Sequence, residues 1–205
     1  TGRGEDSDDD HHPLYFARLQ WNFLGKEVPF SGSDVSISET PMASIGFGSA
    51  WNRSRYTRFS TSGGSELSGF EEGVDGQYSI KQHTVDATYF YAGFNGQGEY
   101  HEKEVTDRLS GEVRTLRGYY LQGGYFFHQL IPQWPKALEV AARYARFTPD
   151  STASTRQYEH AVALNWFISG HNNKITADAT RFNYEEDLIG AVHEWRYRLQ
   201  WDISF

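Results

Sequence analysis

Residues 195–205, WRYRLQWDISF, constrain the fold more than any other stretch of this chain. Trp195, Tyr197, Leu199, Trp201, Ile203 and Phe205 share one parity, and Arg196, Arg198, Gln200, Asp202 and Ser204 share the other. Successive side chains of a strand point to opposite faces. The segment therefore reads as a strand with one aromatic face and one charged face. In a water-soluble sandwich such a strand would present its charged face to bulk water and lead into a polar tail. An aromatic-rich strand that ends on Phe fits instead the closing strand of a transmembrane barrel, whose apolar face meets lipid and whose polar face lines a lumen.

The rest of the composition is compatible with that reading. No run of 18 apolar residues is present, so no transmembrane helix is expected. A mean hydropathy of −0.66 does not oppose a barrel, because only every second strand residue meets lipid. Aromatics at 16% and 20 glycines suit a barrel wall. A net charge of −8 argues against a nucleic-acid partner. The lack of cysteine excludes disulfides and thiolate metal sites. The opening TGRGEDSDDDHH contains no basic segment followed by an apolar core. Export needs a leader, so the expectation is that one was removed or that the chain begins inside a larger protein.

About nine strand-like segments follow one another, near residues 14–24, 42–52, 80–92, 96–105, 116–128, 137–146, 157–168, 172–183 and 192–205. The fourth is the weakest. It places Tyr100, Glu102 and Glu104 outward, where a charge is costly at mid-bilayer. That face is expected either at a subunit contact or above the bilayer. Links at 93–95 and 169–171 are short, and those at 53–79, 106–115, 147–156 and 184–191 read as longer and polar. Barrels keep short turns in the periplasm and long loops outside. Two links on the expected periplasmic side, 25–41 and 129–136, are longer than usual and carry Pro. The domain reading is an acidic extracellular loop or tail over 1–13 and a barrel portion over 14–205. An odd strand count conflicts with the even number in single-chain bacterial barrels. The expectation is therefore the C-terminal part of a larger barrel nicked in an extracellular loop, the alternative being a miscounted small barrel.

Several segments resemble a known family. GYYLQGGYF (118–126), ALEVAARYARFTPD (137–150), HAVALNWFISGHNNKITADATRF (160–182) and the final YRLQWDISF are similar to the C-terminal half of the phosphate-selective porin O and P family, as is WNFLGKEVPFSGSD (21–34). The LEVAARYA and GHNNKITAD pieces are the most specific. The resemblance implies a sixteen-stranded barrel, usually a homotrimer, that conducts small anions, with this chain holding the last nine strands. The family's phosphate-site lysines lie on constricting loops and have no residue-by-residue counterpart here.

The inward parity collects the candidate pore-lining residues Arg18, Asp86, Glu99, Lys103, Glu139, Arg143, Glu159, Lys174, Asp178, Arg196 and Arg198, together with Glu194 and Asp202. Rows of fixed charge set pore selectivity, so the cations could form a ladder for anions. With signs nearly balanced, the alternative is that most pair across strands to hold a hydrated wall. Arg196 and Arg198 are the best ladder candidates. Arg53, Arg55 and Arg58 open the long loop as a candidate basic pore mouth. Glu66, Glu71, Glu72 and Asp75 of the same loop could cancel them. The DSDDDHH stretch (6–12) has ligand-rich composition without the spacing of a Ca²⁺ loop, so it reads as a solvated tail and no metal is expected. No nucleophile–base constellation surrounds the histidines, so no enzyme and no cofactor are expected.

The reading is an all-β transmembrane antiparallel barrel in the outer membrane of a Gram-negative bacterium. It passes small hydrophilic solutes by diffusion and leans to anions such as phosphate. Its expected partners are outer-membrane lipid, small anionic solutes, further copies as a homotrimer, and the N-terminal part of the barrel as a separate chain. One alternative is a structural sheath or scaffold for another outer-membrane protein. Another is a complete small barrel, in which the first and last strands would pair.

Overall fold

A computed structural model describes residues 12–57, 67–149, 156–186 and 190–204. Nine strands follow in chain order: β1 (Tyr15–Trp21), β2 (Met42–Ser54), β3 (Tyr78–Tyr91), β4 (Phe94–Asp107), β5 (Val113–Tyr125), β6 (Leu138–Thr148), β7 (Arg156–Ser169), β8 (Asn173–Glu186) and β9 (Gly190–Ile203). One 3₁₀ turn, Phe127–Gln129, interrupts the link before β6. All nine strands form a single antiparallel sheet in the order of the sequence. The sheet is not closed: β1 and β9 are its two edges. The first and last strands of the chain do not pair with each other, as a complete small barrel would require.

The register gives each face a coherent chemistry. Trp21, Ile45 and Ala87 oppose one another across β1–β3, and Trp166, Ile175 and Trp201 do so across β7–β9. The apolar parity of each strand thus lands on one common face. Near the links 22–41, 92–93, 126–137 and 170–172 (the turn end), that face carries Trp21, Tyr89, Phe94, Tyr125, Trp166 and Trp201. A second aromatic row, Tyr15, Trp51, Tyr119, Tyr144 and Trp195, lies toward the opposite end. Leu19, Phe47, Val85, Leu121, Val162 and Leu199 fill the band between. Two aromatic girdles around an aliphatic band are the outward pattern of a membrane barrel.

Past the second girdle the faces exchange character. Outward positions become Lys81, Glu102, Glu104, Arg117, Arg146, Asn183 and Glu185, while inward ones become Tyr78, Ile80, Val105, Leu116, Phe147 and Phe182. The outward charges of β3–β5 pair with each other: Lys81 Nζ is 3.5 Å from Glu104 Oε1, and Arg117 Nε is 2.7 Å from Glu102 Oε2. Between the two placements expected for the weak fourth strand, this favours strands that run on beyond the hydrocarbon, where outward charge costs little.

Two expected loops shorten for the same reason. β4 runs to Asp107 and β5 starts at Val113, and β8 runs to Glu186 before β9 starts at Gly190. Arg181–Glu185 still alternates, but with polar residues outward, so the segment reads as loop when only apolar-outward strands are sought. Link length therefore does not separate the two ends: residues 55–77, 108–112, 149–155 and 187–189 join strands at the charged end, against 22–41, 92–93, 126–137 and 170–172 at the turn end.

A polar face bracketed by two inward links

The charged residues of the sheet's middle gather on the face opposite the girdles, and most are matched. Arg18 grips Asp86 with both ends of its guanidinium, Nη1 to Oδ2 at 2.6 Å and Nη2 to Oδ1 at 2.9 Å. This fork bridges β1 and β3 over β2, and only a glycine at position 46 leaves it room, since a Cβ there would run into both partners. The hydrogen bond to the carboxylate is the charge-assisted kind that fixes geometry. Arg198 Nε donates to Asp178 Oδ2 at 2.7 Å, Arg143 Nε lies 3.6 Å from Glu159, and Lys174 lies 3.8 Å from Asp202. Arg143 also stacks on the Tyr120 ring at 4.4 Å. Glu99 lies 3.1 Å from the His101 ring, and Lys103 Nζ donates to the Thr57 carbonyl at 2.5 Å. Exposed ion pairs contribute about 0–1 kcal/mol each, so their effect is to hold heads in place rather than to stabilise the sheet.

Arg196 differs. Its guanidinium sits 4.9 Å from the Phe182 ring centroid and forms no ion pair among the described residues. It borders a polar cavity of about 380 Å³ together with Arg143, Glu159, Asp178 and Arg198.

The link 22–41 folds over this face rather than away from it. Residues 28–32 wall a second cavity with Arg18, Asp86 and Gln97. Ser33 and Asp34 do the anchoring, and both are buried. Ser33 Oγ donates to Glu139 Oε2 at 2.8 Å, and Asn165 Nδ2 donates to the same oxygen at 2.8 Å. Asn95 Nδ2 donates to Glu139 Oε1 at 2.6 Å. Glu139, counted from its parity among the wall residues, is 1% exposed and sits under the link rather than on open wall. Burying a carboxylate is tolerable only when its oxygens are satisfied, and three donors from three segments do this. Asp34 accepts from the backbone N–H of Ser38 at 2.9 Å and of Gly93 at 2.9 Å, tying the link to the β3–β4 turn.

At the charged end residues 67–77 of the link 55–77 also pack on the inward side, by a different chemistry. Phe70 packs against Tyr78, Ile80 and Val105, with Leu67 and Leu116 alongside. Arg114 lies over the Phe70 ring at 4.7 Å and donates to the Ser68 carbonyl at 2.6 Å. The predicted basic mouth is divided. Arg53 lies over the Trp51 ring at 5.4 Å, on the outward face. Arg55 lies 3.5 Å from Glu72, the cancelling contact that the loop's own carboxylates allowed. Arg58 and Glu66 fall outside the described residues, as do Asp6–His11; His12 lies 4.0 Å from Asp75.

Sequence reasoning did not find Ser33, Asp34, Asn95, Asn165 or Phe70. Link residues follow no period, and nothing local marks a Ser as the partner of a Glu more than a hundred positions away. Arg53 could have been placed correctly, because it is two residues from outward Trp51 and shares its face.

A family model described as phosphate-selective porin O and P matches residues 4–187, spanning β1 to β8. No curated protein and no solved structure matches the chain.

Proposed function

The chain belongs to the phosphate-selective porin O and P family, and on that premise we propose that it forms part of an outer-membrane pore admitting small hydrophilic solutes, with a lean to anions. The observation that supports this reading is the contrast between the faces: girdles and aliphatic residues on one, a hydrated row of ion-paired charge on the other. Solutes diffuse along the polar face between the two inward links. The paired arginines fix the wall, and Arg196, with no carboxylate partner among the described residues, leaves a local positive site on a nearly balanced wall that tilts selectivity.

An open edge cannot stand in hydrocarbon, because each unsatisfied backbone N–H or C=O there costs about several kcal/mol. Closure needs strands beyond these nine, in keeping with a sixteen-stranded wall whose other strands come from an N-terminal part carried as a separate chain. Intact-mass measurement of the purified, denatured protein tests this: a companion polypeptide supports it, and a lone nine-stranded species rules it out. Assembly as a homotrimer is part of the same proposal.

Planar-bilayer recordings in a salt gradient test the pore itself. The reversal potential should show anion preference, and Arg196→Gln should reduce it roughly twofold, the weak effect of one charge in a water-filled pore. Absence of conductance would favour the scaffold reading. An unchanged ratio in Arg196→Gln would remove that residue from selectivity.

A further inference from the structure

The outward face carries an arrangement that solute passage does not use. A groove of about 1460 Å³ runs obliquely across it. Its floor is apolar, with the small residues Ala87, Gly98, Gly123, Ala142 and Ala179 from β3, β4, β5, β6 and β8, and Val162 from β7 between the last two. Its end at the second girdle is polar, formed by Tyr158, His160, Arg181, Asn183 and His193 beside Trp195. The charges here are not balanced as they are on β3–β5. Arg181 stands in register between His160 and Trp195, makes no ion pair among the described residues, and its Nε is buried without a hydrogen-bond partner. Arg146, on β6, lies over the Tyr158 ring at 5.6 Å and likewise has no ion pair among the described residues. Glu185 also lines this end and accepts from the Tyr158 hydroxyl at 3.4 Å, so one carboxylate stands beside the two guanidinium groups, and His193 is bonded to Asn183 at 2.7 Å.

We propose that this groove binds a phosphorylated glycolipid of the outer leaflet, with Arg146 and Arg181 holding its phosphate and the small-residue floor receiving its acyl chains. The inference rests on the membrane reading of the sheet. Guanidinium groups at headgroup level, just past an aromatic girdle, meet anionic lipid heads directly. An orphaned Nε gains a charge-assisted bond when a phosphate oxygen arrives. A cationic end joined to a long apolar floor has the polarity profile of an anionic amphiphile, which neither a soluble anion nor a neutral lipid reproduces.

The test uses the complete outer-membrane barrel containing this chain, in detergent, with native mass spectrometry of lipid binding. The probes are bisphosphorylated lipid A, its enzymatically dephosphorylated form, phosphatidylglycerol and inorganic phosphate. Wild type should retain bisphosphorylated lipid A roughly tenfold better than the dephosphorylated form, as expected for one or two charge-assisted bonds. The double variant Arg146→Gln/Arg181→Gln should lose that preference, and Arg146→Lys/Arg181→Lys should restore part of it. Lys81→Gln, in the neutralised half, should leave it intact. Equal retention of the two lipid A forms by wild type, an unaffected double variant, or equal retention of phosphatidylglycerol would overturn the proposal. So would displacement by inorganic phosphate alone, or an oligomer contact that buries the groove. Bilayer conductance of the same samples is read separately: if it is lost while the lipid preference persists, the pore reading fails and the lipid site stands.

Discussion

The two inward links achieve the same placement by opposite means. Link 55–77 is held by apolar contact, with Phe70 in a pocket of Tyr78, Ile80 and Val105. Link 22–41 is held by a buried carboxylate, with Glu139 receiving Ser33, Asn95 and Asn165. Apolar contact is non-directional and tolerates repacking. A satisfied buried charge is specific, and it fails abruptly when one partner goes. The turn end should therefore be fixed in one geometry, and the charged end should be adaptable.

Substitutions can break that contrast in graded ways. Glu139→Ala has the largest expected effect: it takes the acceptor from Asn165 and from the buried donors of Ser33 and Asn95, for a loss of about 1–3 kcal/mol per buried donor. Heat-modifiability on gels should show a lower transition temperature, and single-channel conductance should rise as link 22–41 comes loose. Phe70→Ala should cost about 3 kcal/mol through the lost contact and cavity. Limited proteolysis should then cut within 55–77 while 22–41 stays protected, and cutting in both links would mean that they are coupled. Gly124→Ala, whose new methyl group would press on Glu139 and Asn95, should cost about 1–3 kcal/mol. Its proteolytic pattern should match that of Glu139→Ala in weaker form. Asp34→Asn keeps an acceptor for Ser38 and Gly93 but removes the charge, and should cost about 1 kcal/mol. Hydrogen exchange at the Gly93 amide should register it.

The wall was legible in the sequence because period-2 alternation survives in nearly every strand; Tyr197, Leu199 and Trp201 opposite Arg196, Arg198 and Gln200 could not be read otherwise. Strand ends at the charged end were less legible, because Arg181, Asn183 and Glu185 keep the period and reverse the faces. The link contacts could not be read at all. Ser33 and Phe70 act through partners that only the assembled sheet brings near, and Glu139, set between Leu138 and Val140, carries the same pattern as any hydrated wall charge.

The register has a consequence for how the wall is made. Every strand is bonded only to its sequence neighbours, with one irregularity between Phe167 and Ser169. The sheet can thus grow as a chain of hairpins, most of them closing short loops, and even the links 22–41 and 55–77 add little because closure entropy rises slowly with length. The contacts that reach farthest along the chain are link anchors such as Ser33–Glu139, with strand-to-strand pairs such as Arg18–Asp86 and whatever completes the edges of β1 and β9 beside them. Topology sets folding speed through such distant contacts. The sheet should therefore zip early, and docking of the links and sealing of the edges should be the slow events of its biogenesis.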